Sequence, residues 1–136
     1  DRALAWMILV DIHPAKKAEW PSALQEMVDN YWFFVESFKL KDWGQMNIPA
    51  YITDEVYGLV DEELMRMIHG DIIRTTTPLA SLPPNPIPED TSPLGSIAQY
   101  LRILERILFI FARLNPGIGY VQGFNELILP IYIVFF

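Results

Sequence analysis

The sequence predicts an all-α protein, an irregular array of helices. Apolar residues recur at spacings of three and four through successive segments, and few stretches alternate with the period of two that strands require. Proline and glycine fall between those segments, where helices stop.

The first segment reads as a helix from Asp1 to about Ile12, with Asp1 as N-cap and Leu4, Met7, Ile8 and Ile12 on one face. His13-Pro14 ends it, and Trp6 on this segment is expected to pack in support of the fold. A second helix begins around Pro21, a residue favoured in the first turn, and carries Leu24, Met27, Val28, Tyr31, Phe34, Val35 and Phe38. A loop with Gly44 and Pro49 follows. The third helical stretch starts near Thr53, breaks near Gly58 and runs on through Leu64, Met67, Ile68 and Ile72. Asp54, Glu55, Asp61, Glu62 and Glu63 form its solvated face.

Six of the eleven prolines lie between Pro78 and Pro93, so residues 78–92 read as a proline-rich loop that neither a helix nor an inner strand accommodates. Ser92-Pro93 starts the longest amphipathic helix, through Leu94, Ile97, Ala98, Leu101, Leu104, Leu108, Phe111 and Ala112, and Asn115-Pro116-Gly117 stops it. Arg102, Arg106 and Arg113 are expected to line its polar side. The last segment, Tyr120 to Phe136, is apolar nearly all round and reads as a helix buried within a larger helical body.

At 136 residues the chain has the length of one domain with a substantial core. It starts at Asp1 and stops inside an apolar run, which reads as a domain cut short at its C-terminal side. The balance of 10 Lys and Arg against 17 Asp and Glu, a net charge of −7, has the wrong sign for neutralising phosphates and argues against nucleic-acid binding. With no cysteine there is no disulfide framework and no thiolate chemistry, which suits a cytoplasmic setting. The apolar run Leu127–Phe136 falls short of the roughly 20 residues that cross a bilayer, and Lys16-Lys17 is too short a basic run to hold a membrane surface.

Much chemistry is excluded. His13 and His69 stand in no metal-binding spacing, so no metal site is expected. There is no G-x-S-x-G elbow for a serine nucleophile and no Walker loop for a nucleotide phosphate. Gly117, Gly119 and Gly123 have the wrong spacing for a dinucleotide loop and follow a helix.

Two segments fit neither plain core nor plain surface. In Ile68-His69-Gly70-Asp71-Ile72-Ile73-Arg74-Thr75, Asp71 and Arg74 lie three apart, on one helical face, so the carboxylate can orient the guanidinium. On general grounds they would form an ordinary surface ion pair. Gly119-Tyr120-Val121-Gln122-Gly123-Phe124-Asn125-Glu126 puts a phenol, two amides and a carboxylate at the start of an apolar helix. Helix capping and satisfied core hydrogen bonds are the ordinary explanation.

Together these segments resemble two fingerprints of the TBC domain of GTPase-activating proteins for Rab-type small GTPases. The family's I-x-x-D-x-x-R motif is matched by Ile68, Asp71 and Arg74, with Thr75 following. Its Y-x-Q-G motif is matched by Tyr120, Gln122 and Gly123, with Asn125 and Glu126 following. Arg2 and Trp6 look like a third signature near the domain start, and the motifs come in the family's order. The resemblance covers nearly the whole chain, is weakest in the proline-rich loop and is nearest in look to the member 13 subgroup. Phe124 departs from it, standing where the family usually has Met.

The resemblance implies an N-terminal part of a TBC-type domain that activates a GTPase without being an enzyme in its own right. Arg74 would be an arginine finger and Gln122 would orient the attacking water, both supplied in trans. Asp71, Thr75, Tyr120, Gly123 and Asn125 would support them. No cofactor is implied beyond the GTP and Mg held by the partner. That partner would be a Rab-type GTPase in its GTP form, bound in the cytoplasm in control of membrane traffic. Any association with endomembrane surfaces would run through it. The alternative is a catalytically silent helical module that binds a small GTPase or another partner.

Overall fold

In the computed structural model, residues 2–9, 12–14, 16–38, 40, 62–75 and 97–135 are described. These form five α-helices: α1 (Arg2–Leu9), α2 (Trp20–Ser37), α3 (Glu62–Ile72), α4 (Ala98–Leu114) and α5 (Phe124–Phe135), with a 3₁₀ turn at Lys17–Glu19 before α2. Among the described residues there is no strand, and the fold is all-α. The Asp1 cap, the loop with Gly44 and Pro49, the stretch from Thr53 through Gly58, the proline-rich loop 78–92 and the Ser92-Pro93 start signal lie outside the described residues.

The core lies between α3 and α4. On α3, Met65, Ile68 and Ile72 follow the three-and-four spacing and are fully buried, and on α4 Leu101 and Leu104 meet them. Full burial of such a side chain contributes about 1.5–3 kcal/mol, so these five positions anchor the pair of helices. Val35 from the C-terminal half of α2 and Leu129 from α5 close the cluster. Leu24, Met27 and Val28, expected to share the buried face of α2, are instead exposed, because the N-terminal half of α2 extends past the described core.

Helix α1 is shorter than its periodicity predicts. Ile12 already lies outside it, and the amides of Ile12 and His13 turn back to donate to Met7 O at 2.9 and 3.1 Å. The geometry that Pro14 imposes on its predecessor disfavours helix there. His13 instead stacks on Trp20, ring centres 4.7 Å apart, and the Trp20 indole N–H donates to Pro14 O at 2.9 Å. Trp6 is not packed inside: it is 53% exposed and lines an apolar groove with Ile12, Pro130, Ile131, Val134 and Phe135.

The arginines of α4 do not share one polar side. Arg102 is buried, Arg106 lies over the Trp32 ring and Arg113 lies over the Phe38 ring. The cations of Arg106 and Arg113 thus meet aromatic faces. Helix α5 begins at Phe124 rather than Tyr120, and it is not buried all round. Leu129 packs inward, whereas Leu127, Ile131, Ile133 and Phe135 are exposed. No helix among the described residues is long and apolar enough to cross a membrane.

Candidate functional site

The site forms where α3 ends. A helix leaves its last carbonyls without intrahelical partners, and here the carbonyl of Asp71 collects several donors from later in the sequence. The Arg74 amide donates to it at 3.2 Å and the Thr75 hydroxyl at 3.0 Å. The Asn125 side-chain amide donates to it at 3.3 Å. Asn125 also donates to the Thr75 hydroxyl oxygen at 3.0 Å. Thr75 and Asn125 are both buried, so their polar atoms are satisfied by each other and by the helix end.

The Asp71 side chain makes the second link. Its carboxylate is almost fully buried; Oδ1 accepts from the Arg74 guanidinium and Oδ2 accepts from the Tyr120 hydroxyl at 2.8 Å. Arg74 sits in the turn just past α3 rather than on the helix itself, with its side chain 66% exposed. One end of the guanidinium is therefore held by a buried acid while most of the group faces outward. A cation beside the C-terminal carbonyls of a helix is also favoured by the helix dipole.

Burial raises the pKa of Tyr120; its hydrogen bond to Asp71 and the Asp71 charge raise it further, against a smaller lowering by Arg74. The phenol thus stays protonated and keeps donating at neutral pH.

The turn before α5 places Gln122. Gly119 and Gly123 have φ of +64° and +100°, conformations that glycine adopts without the Cβ penalty. No atom lies within 4 Å of a Cβ built on Gly123, so the requirement there is backbone conformation and not space. Gly123 O accepts from the Glu126 and Leu127 amides at 3.0 and 3.4 Å, which starts α5 directly after the turn. Gln122 is exposed. It is flanked by Tyr120 on one side and Asn125 on the other, and both of those are bonded to the Asp71–Thr75 segment.

The seven residues singled out in the sequence thus gather in one place, five of them through a shared set of hydrogen bonds or, for Gly123, the turn geometry, and Arg74 and Gln122 as the exposed side chains. Phe124, at the departure from the TBC pattern, packs edge-on against Phe111 and Tyr120.

Sequence reasoning missed one feature. His69 Nδ1 and Glu105 Oε1 are 2.6 Å apart, with side chains 2% and 0% exposed. The signal was present: Glu105 lies between Leu101, Leu104 and Leu108 on the buried stripe of α4, and an acid in that position needs a buried partner.

Comparison with known proteins places the chain in a family. The chain is 31% identical over 134 residues to TBC1 domain family member 22A of Mus musculus, covering 98% of this chain and 20% of that protein. Identity to TBC1 domain family member 22B of Homo sapiens is also 31% over 134 residues, covering 98% and 21%. A shorter stretch is 64% identical over 33 residues to TBC1 domain family member 13 of Homo sapiens, covering 24% of this chain and 8% of that protein. The chain therefore spans about a fifth of the length of the first two relatives. No solved structure matches. The Rab-GTPase-TBC domain model matches residues 2–136, and with nearly its full length accounted for, the chain belongs to the RabGAP-TBC family.

Proposed function

We propose that this chain forms part of a domain that accelerates GTP hydrolysis on a Rab-type small GTPase, with Arg74 and Gln122 as its catalytic residues. In phosphoryl transfer, charge spreads over the γ-phosphoryl oxygens while a water must be held in line for attack. Arg74 enters the partner's nucleotide site and stabilises that charge, and Gln122 orients the water. An arginine finger accelerates hydrolysis roughly 10³- to 10⁵-fold.

The observation that carries this reading is the bonding of the two motifs across α3 and α5. Asp71 holds the Arg74 guanidinium and accepts from Tyr120, while Asn125 holds the Asp71–Thr75 turn. Gln122 lies between these two anchors. Two exposed polar side chains are thereby set on a rigid buried base, which is what transition-state stabilisation by preorganised groups requires. Gly123 supplies the turn, and Asp71, Thr75, Tyr120 and Asn125 are positioning residues. The partner is the GTP form, because only the γ-phosphate gives Arg74 and the water their target. The setting this implies is the cytoplasmic face of membranes that carry the GTPase, in control of vesicle traffic.

The test is phosphate release from a panel of GTP-loaded Rab proteins with the full-length protein that contains this chain. Acceleration of at least one member supports the reading. Binding to GTP-loaded members with no acceleration of any would replace it with the silent binding module.

A further inference from the structure

The turn that carries Arg74 is continuous with α3, so the finger can be placed only as well as α3 itself is placed. Helix α3 packs on α4 through Met65, Ile68 and Ile72 against Leu101 and Leu104, all fully buried. Apolar burial is non-directional; it brings the helices together, and a directional contact in the same interface adds a constraint on rotation of α3 about its axis. Buried in the same interface is a directional contact, His69 Nδ1 to Glu105 Oε1 at 2.6 Å.

We propose that the His69–Glu105 hydrogen bond is a rotational pin of α3, a positioning pair for Arg74 that acts through Asp71. This rests on the reading of Arg74 as the finger. Successive residues are about 100° apart around a helix, so Asp71, two residues after His69, projects well round the axis from it. A rotation that opens the His69 contact carries the Asp71 carboxylate across the front of Tyr120, and the 2.8 Å bond that fixes it is lost. Arg74 follows, since Asp71 is its partner.

The pair has the features of a specifying contact. Its two side chains come from different helices, are buried to 2% and 0% exposure and belong to residues 36 apart in sequence. His69 Nε2 is buried without a hydrogen-bond partner among the described residues, so the ring's hydrogen bond there is the one to Glu105. A buried polar pair is weak evidence for stability, whereas fixing register is its best-attested use. Displacement of a catalytic group by about 1 Å costs on the order of 100-fold in rate, so a small rotation is enough to matter.

The experiment uses the full-length protein and a GTP-loaded Rab that it accelerates, measuring kcat and KM. In the double variant His69→Leu with Glu105→Leu, apolar side chains replace both members of the pair, so neither is left buried facing the other's absence. It is expected to keep its thermal midpoint and a KM within about 2-fold, while kcat falls about 10-fold or more. Glu105→Gln keeps an acceptor for the His69 Nδ1–H and is expected to stay within about 3-fold of wild type, since the bond persists. A folded leucine pair with wild-type kcat overturns the proposal. Should the leucine pair not fold, a folded Glu105→Gln protein with kcat reduced about 10-fold overturns it, because the bond was kept. Arg74→Ala serves as the reference. If it leaves the rate unchanged, the finger reading fails, and if it abolishes acceleration while the leucine pair does not affect it, the pin alone fails.

Discussion

Tyr120 donates its hydroxyl to Asp71 at 2.8 Å across 49 residues of sequence, and that bond ties the turn carrying Gln122 to the acid holding Arg74. Tyr120→Phe removes the oxygen and leaves the ring contact with Phe124. The loss of one hydrogen bond to a charged acceptor costs about 1.5–3 kcal/mol when buried, less here because Tyr120 is only part-buried. The expected result is a modest fall in the melting midpoint and a fall of about 10-fold in kcat/KM, on the scale of a small misplacement of catalytic groups. Unchanged kcat/KM would separate Tyr120 from the positioning of the two residues proposed as catalytic.

The same phenol should be legible in alkaline stability. Burial, followed by the hydrogen bond and charge of Asp71, raises the Tyr120 pKa above its ordinary 10.0, and burial raises Tyr31 and Tyr132 as well. A group with a raised folded pKa contributes stability that is present below its unfolded pKa and lost as pH rises through the folded value. Unfolding free energy measured by denaturant titration is therefore expected to decline above pH 10.0, and to decline less steeply in Tyr120→Phe. Parallel pH profiles for the two proteins would contradict this.

Two glycines make opposite predictions. Gly123 has φ of +100° and open space where a Cβ would sit, so Gly123→Ala is penalised by backbone conformation alone. It is expected to cost about 1–2 kcal/mol and to lower acceleration as the turn shifts. Gly70 lies inside α3, also with open space at its Cβ position. Gly70→Ala is expected to stabilise by about 0.5–1 kcal/mol with acceleration retained. Equilibrium unfolding of the two variants reads both signs.

The sequence made the helices and the two site motifs visible, because each is local. The apolar stripe of α4 and the three-and-four spacing of Met65, Ile68 and Ile72 are written in one segment, and so is the spacing of Asp71 and Arg74. What joins segments was not visible. Nothing in the spacing of either motif says that Asn125 caps the end of α3 or that Tyr120 reaches Asp71. His69 stands in no metal-binding spacing, and its partner Glu105 lies 36 residues away on another helix. The exposure of Trp6 and of Leu24, Met27 and Val28 shows the same limit: periodicity marks an apolar face, and the packing of neighbouring elements decides whether it is covered.

The central claim is that Arg74 and Gln122 act in the transition state. It is tested most directly by single-turnover GTP hydrolysis on a responsive Rab with the full-length protein at saturating concentration. Arg74→Ala is expected to reduce the accelerated rate by about 10³-fold or more, with a modest fall in melting midpoint because the buried Asp71 carboxylate keeps Tyr120 but loses its cation. Arg74→Lys, lacking the planar fork, is expected to recover only part of that rate. Gln122→Ala is expected to lower the same rate constant while leaving the fold intact. Acceleration that survives both alanine substitutions at the wild-type rate would contradict the account.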